Sequence, residues 1–234
     1  GARKIRPENT MTAFLYAMDA GVDMVETDIR QTLDGQLILM HDEKVDRTTD
    51  GSGKVRDMTF KELRSLNAAA HDEWDRREEI PLLEELLEAV AARDDMLINL
   101  ELKEYPHVEG ADRAIDTVNK TVEMVEKYGL KDRIIFNSFS CGVLRYIDKT
   151  WGGRYFLHGY YPFFCFGDED GQDTRLDVAC LFHVARQDGK NVGLEGAICP
   201  QSWFDDLTNR GIEPWIGAGV KEYDDLLLGF ERGA

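Results

Sequence analysis

Apolar residues along the chain follow two periods in turn, one near 3.6 residues and one of two, the signatures of amphipathic helix and of strand. Asn9 caps an expected helix running to about Ala20, with Phe14, Ala17 and Met18 on its apolar stripe and Gly21 as its stop. Met24 to Thr32 reads as a strand, Leu33-Asp34-Gly35 as a turn and Gln36 to Met40 as a returning apolar run. A polar stretch from Glu43 to Ile80 follows, and within it Thr59-Phe60-Lys61-Glu62 is a capping box that starts a short helix through Leu66. Beyond it the pattern predicts helix from Pro81 to about Arg93, strand from Met96 to Lys103 and a long helix from Ala111 to Tyr128, stopped by Gly129. Arg133 to Ser140 and Arg154 to Tyr160 read as strands around a helix from Val143 to Lys149. An acidic loop, Gly167 to Asp173, leads to an expected helix over Leu176 to Gln187 and a strand over Leu194 to Cys199. A helix from Ser202 to Asn209, a strand from Ile212 to Ile216 and a helix from Glu222 to Glu231 complete the series.

Six core strands, each followed by a helix, with one helix ahead of the first, predict one parallel sheet. The leading helix lacks a strand before it and the last helix lacks one after it. Restoring one strand at each end gives eight β/α units, so the expectation is an α/β fold, a TIM (β/α)8 barrel without its first and last strands. The chain, residues 1–234, reads as a single catalytic domain with residues 43–80 as a small polar insertion after the second strand. An open doubly wound sheet is the structural alternative.

Composition narrows the functional classes. A formal charge of −17 argues against a nucleic-acid binder or a partner of anionic membranes, both of which need a basic face. It leaves room for an anionic small substrate, because a bound metal and a few local cations can reverse the field within a pocket. Four cysteines without CxxC spacing (Cys141, Cys165, Cys180 and Cys199) argue against a disulfide framework or a zinc site, and point to reduced thiols in a cytoplasmic protein. No apolar run reaches the ~18 residues of a membrane span, so no stable membrane insertion is expected. Oligomeric state is not legible.

The candidate chemistry lies at the ends of two strands. Residues i and i+2 of a strand share a face, so Glu26 and Asp28 project together, as do Glu101 and Lys103. Three carboxylates gathered at one place repel one another unless a cation or protons neutralise them. An all-oxygen set favours a hard divalent ion, Mg2+ or Ca2+. With His41 between the two motifs, the pattern is that of metal-dependent phosphoryl transfer.

Several motifs in order then carry a resemblance. Pro7-Glu8-Asn9-Thr10, Ala13-Phe14, Gly21, Glu26-Thr27-Asp28-Ile29, Thr32-Leu33-Asp34-Gly35, His41-Asp42, Thr49-Asp50-Gly51-Ser52-Gly53 and Glu101-Leu102-Lys103 together resemble the glycerophosphodiester phosphodiesterase family. Ile80-Pro81-Leu82-Leu83-Glu84-Glu85 resembles the helix start after that family's insertion, and Asn137-Ser138-Phe139 and Gly211-Ile212-Glu213-Pro214-Trp215 extend the match more thinly. The resemblance implies a TIM barrel that hydrolyses a small-molecule glycerophosphodiester to an alcohol and glycerol 3-phosphate with a divalent metal. It implies Glu26, Asp28 and Glu101 as metal ligands and His41 as one of two catalytic histidines. Lys103, Glu8 and Trp215 take substrate-side roles. The other histidine, with an arginine, would stand just before Gly1, and the last strand of the family would follow Ala234.

Two further readings compete: a phospholipase of the sphingomyelinase D type, and a catalytically inactive phosphate-binding barrel. The remaining candidates read as structural: His71 in the insertion, His107 in a strand-end loop, His158 in an aromatic strand and His183 in a helix. The run Asp168, Glu169, Asp170 and Asp173 reads as a solvated charge cluster, and Ser138 and Cys141 lack a paired base for nucleophilic catalysis.

Overall fold

Thr10, rather than Asn9, begins the first helix, α1 (Met11–Asp19): its side chain accepts the Ala13 N–H. Asn9 takes a left-handed backbone, φ 52°, and turns its amide away from the helix. Asparagine is among the few residues that tolerate this conformation. The structure, a computed structural model, describes residues 2, 4–168, 171–181, 199–217, 220 and 223–234. Contacts among them divide the chain into two units, one ending at Asn137 and one beginning at Ser138.

In the first unit, β1 (Met24–Gln31) and β2 (Leu37–Leu39) form an antiparallel hairpin, with Ile29 opposite Leu39. The turn between them closes through Thr32 N–H to Gln36 O at 2.9 Å. Gly35, at φ 78°, supplies the left-handed residue that the turn needs. β1 also pairs in parallel with β3 (Leu97–Leu102), and β3 with β4 (Ile134–Asn137). The strand order in this unit is β2-β1-β3-β4.

The intervening residues form α2 (Phe60–Arg64), α3 (Leu83–Ala91), the short α4 (Pro106–Glu109) and α5 (Ala111–Lys127). The capping box of Thr59 and Glu62 is in place on α2. α3 begins two residues after Pro81, with the Glu85 carboxylate accepting the Leu82 N–H at 2.7 Å. α5 buries Ala114, Thr117, Val118, Thr121, Val122 and Val125, the one-sided stripe expected of a helix lying on a sheet. The stretch after β2 is less polar than its composition suggests. Val45, Val55, Leu63, Ala68 and Ile80 close with Ile38 and Met40 into a satellite core.

The second unit holds α6 (Cys141–Trp151), β5 (Phe156–Tyr161), β6 (Val178–Leu181), α7 (Gln201–Asn209), β7 (Glu213–Ile216) and α8 (Tyr223–Arg232). β6 pairs in parallel with β5 on one side and β7 on the other. Here the expected order is corrected: the segment read as a helix over Leu176 to Gln187 contributes a strand at Val178–Leu181. Val178, Ala179 and Leu181 are all buried in that flanked strand. A strand covered on both faces shows a continuous apolar run, which periodicity cannot separate from buried helix. The expected strand over Leu194 to Cys199 falls outside the described residues except for Cys199, which is in no strand, and His183, Glu169 and Asp170 lie outside them as well. No helix among the described residues is long and apolar enough to cross a membrane.

Candidate active site

The parallel register of the first unit sets Asp28 beside Glu101 on neighbouring strands, and Glu26 lies two residues before Asp28 on the same face of β1. A carboxylate oxygen from each of the three comes within 4.8 Å of the other two. The ammonium of Lys103, just past the end of β3, stands between two of them, 3.1 Å from Asp28 Oδ1 and 2.5 Å from Glu101 Oε1. Only 6% of its side chain is exposed.

Buried charge dictates the titration of this group. Burial, with Asp28 and Glu101 alongside, pushes Glu26 up to about 8. Burial also raises Glu101, although Lys103 pulls the other way. Desolvation works against the charge on Lys103, but Glu101 and Asp28 more than offset it and hold the ammonium protonated. The Tyr105 hydroxyl donates to Glu101 Oε1 at 3.3 Å. Its own proton is held more tightly than usual by burial and by that carboxylate. Three carboxylates and one ammonium carry a formal charge of −2 when all are ionised, which one divalent cation would balance. The hard oxygen donors suit Mg2+ or Ca2+.

Neighbouring residues fix these side chains. The Asn9 amide donates to Asp28 Oδ2 at 2.9 Å, and its oxygen accepts the Thr27 hydroxyl at 3.0 Å. The Met40 N–H donates to Asp28 O at 3.0 Å, so the chain leaving β2 is tied to β1 where the carboxylates stand. His41 follows directly, its main-chain oxygen held by the Arg30 guanidinium at 3.0 and 3.1 Å. Next to Lys103 in sequence, Glu104 accepts the Gln31 N–H at 2.9 Å and pairs with Arg113 at 2.9 Å.

His41 and Lys103 line one open cleft of about 420 Å3, together with Arg30, Lys44 and Tyr105. The imidazole Nδ1 lies 2.6 Å from Asp42 Oδ1. Glu8 does not reach into this cleft as a free carboxylate; both its oxygens engage Arg47, at 2.6 and 3.0 Å. Trp215 belongs to the second unit, where its indole N–H donates to Glu213 at 3.1 Å and its ring stands 5.2 Å from that of His158. His158 is buried, and burial lowers its pKa to about 4. Asp168 accepts from the N–H groups of Cys141 and Gly142 at the start of α6, a capping role.

Sequence reasoning brought together Glu26, Asp28, Glu101, Lys103 and His41, and missed Asn9, Arg30, Arg47 and Tyr105. Asn9 looked like an ordinary helix cap, and only its left-handed backbone frees the amide for Asp28. Tyr105 lies two residues beyond Lys103, so continuing the same-face count past the strand end would have found it.

Fold and site together define a β/α protein with a carboxylate cluster shared by two adjacent parallel strands. The chain belongs to the glycerophosphoryl diester phosphodiesterase family, whose model matches residues 1–159. It is 40% identical over 149 residues to a glycerophosphodiester phosphodiesterase of Bacillus altitudinis, covering 61% of this chain and 57% of that protein. It is 38% identical over 154 residues to the enzyme so named in Caldanaerobacter subterraneus subsp. tengcongensis, covering 64% and 59%. The chain thus spans less than two thirds of the length of these curated relatives. Among solved structures it is similar to a putative glycerophosphoryl diester phosphodiesterase from Silicibacter pomeroyi, with a TM-score of 0.78 and 20% identity over 97% of this chain and 83% of that one. A phosphodiesterase of Oleispira antarctica in complex with the product sn-glycerol-3-phosphate gives a TM-score of 0.75 and 22% identity, over 97% and 85%. These likenesses place the fold in the TIM-barrel class expected from the β/α alternation.

Proposed function

We propose that this protein hydrolyses glycerophosphodiesters to an alcohol and glycerol 3-phosphate. The observation that carries the reading is the convergence of Glu26, Asp28 and Glu101 beside a cleft lined by His41 and Lys103. The relatives' shared name and the product complex of the Oleispira antarctica structure point to the same substrate class.

Glu26, Asp28 and Glu101 would hold the divalent cation, Mg2+ or Ca2+, which when bound supplies positive charge against the phosphate oxygens. The chain's own residues do the rest. Lys103, charged and nearly immobile between two carboxylates, offers a fixed positive partner to the charge that builds on phosphate in the transition state. Arg30 and Lys44 line the cleft beside two acids, Asp42 and Glu43, which are themselves paired with Arg47 and Lys54, so positive charge remains to draw an anion to a chain of net charge −17. His41 exchanges the proton, taking it from the attacking hydroxyl or giving it to the leaving oxygen, work suited to an imidazole near neutral pH. Glu8 acts through Arg47.

The test is a coupled assay of glycerol 3-phosphate release across choline, ethanolamine, glycerol and inositol head groups, with Mg2+ or Ca2+ and with EDTA. Metal-dependent release from at least one substrate is expected. Release of choline from sphingomyelin alone, with the phosphate left on the ceramide, would favour the sphingomyelinase D type, and phosphate binding without turnover would make the chain a binding module.

A further inference from the structure

Around His41 the side chains form a continuous relay. The Arg47 guanidinium grips two carboxylates with its two edges. Nε and Nη2 meet Asp42 at 2.6 and 3.1 Å, and Nη1 and Nη2 meet Glu8 at 3.0 and 2.6 Å. Asp42 in turn contacts His41 Nδ1 at 2.6 Å. The two carboxylates come from different loops: Glu8 from the loop before α1, and Asp42 from the loop after β2. Both loops are anchored on β1 at one place, the first through Asn9 to the Asp28 side chain and the second through the Met40 N–H to Asp28 O.

From this geometry we propose that Asp42, held by Arg47 and through it by Glu8, is a positioning residue that fixes His41 as the Nδ1–H tautomer and leaves Nε2 as the proton-exchanging atom. The proposal rests on the phosphodiesterase reading only for what Nε2 then does. Three observations carry it. An ionised carboxylate only accepts hydrogen bonds, so a 2.6 Å contact to Nδ1 requires the proton on the imidazole nitrogen. Which ring nitrogen is protonated follows from the hydrogen bond made by the other. Arg47, which bonds both oxygens of Asp42, keeps that carboxyl ionised, well below the usual carboxylate range.

Stability is a poor explanation for so much order. The side chains of His41 and Arg47 are 54% and 49% exposed, and ion pairs so exposed add little to folding. Orientation is what two bidentate grips do supply, because the planar fork of arginine fixes both partners in direction as well as distance. Arg30 completes the arrangement by holding the His41 main-chain oxygen, so backbone and ring are each anchored.

The experiment is 15N NMR of the protein labelled at histidine, with the His41 signals assigned through His41→Gln. The protein as it stands should show His41 protonated on Nδ1 when neutral. In Asp42→Asn the amide can present its NH2 to Nδ1, and the population should shift toward Nε2–H. In Arg47→Met a mixture of tautomers should appear, and Arg47→Lys, which keeps charge but loses the fork, should fall between. An unchanged circular dichroism spectrum and urea midpoint should show that the variants are folded. In the glycerophosphodiester assay, Asp42→Asn and Arg47→Met should lower kcat about 10- to 100-fold with KM little changed, the scale at which removing a partner of a site residue acts. A neutral His41 already on Nε2–H, or a tautomer unmoved by Asp42→Asn, overturns the relay. Tautomer shifts of the expected kind in a protein that turns over no glycerophosphodiester would leave the relay standing and remove the proposed function.

Discussion

Lys103 lies between two carboxylates on the wall of the cleft with only 6% of its side chain exposed, which makes it the residue on which the cluster's charge balance depends. Removing one member of a buried ion pair leaves its partners desolvated and uncompensated, at a cost of about 3–5 kcal/mol. Lys103→Met should therefore destabilise the metal-free protein by about that amount, read as a lower urea midpoint in EDTA. Mg2+ or Ca2+ should restore much of the loss by taking over the neutralisation of Asp28 and Glu101. A variant as stable as the parent in EDTA would mean that these carboxylates are not charged together. His41 differs in kind: its side chain is 54% exposed and its removal strands no buried charge. His41→Ala should lower turnover by about 10²-fold or more while calorimetry finds cation affinity nearly unchanged, since an acid–base group acts on the barrier. Equal turnover in the variant would take His41 out of the chemistry. His41 and the strand carboxylates were readable as candidates because residue type and spacing announce them. Arg47 was not, because its meaning depends on a carboxylate 39 positions earlier that only folding brings to it.

Among the elements, β5 carries a titration of its own. Burial lowers His158 to about 4 from an ordinary 6.5. Its folded pKa lies below the unfolded one, so the unfolded chain binds the extra proton. The stabilisation from keeping His158 neutral is present above about pH 6.5 and is lost as pH falls toward 4. The loss approaches about 3 kcal/mol, given 1.36 kcal/mol per pKa unit. Carboxylates titrate over part of the same range, so the check is the difference between the unfolding free energies of the parent and His158→Gln from pH 7 to pH 4. The parent should lose stability faster, and parallel curves would show that His158 is not buried neutral. The elements also show where periodicity stops being informative. α5, with one wet face and one dry, was legible almost to the residue. β6 was not: paired on both edges and buried along both faces it has no polar face to reveal its period, and the apolar run passed for helix.

At the scale of the whole molecule the dominant quantity is a net charge of −17. Like charges spread over one folded chain repel, and salt shortens their reach from about 30 Å at 0.01 M to about 8 Å at 0.15 M. The melting temperature should therefore rise with NaCl across that range in the presence of EDTA, measured by circular dichroism; a flat or falling Tm would mean that ion pairs such as Arg64–Glu85 and Arg175–Asp177 already offset the repulsion. Alternation of period, turn residues and caps is local in sequence, so the chain by itself determined that helices and strands alternate, that the fold class is β/α, and that Glu26 and Asp28 share a face. Tertiary structure decided what depends on pairing across long separations. The parallel register set Asp28 against Glu101, the left-handed Asn9 turned a helix cap into a brace for Asp28, and two loops met at Arg47 behind His41. A strand's own sequence fixes which way its side chains alternate, but not which neighbour lies beside it, and the chemistry of this site depends on that neighbour.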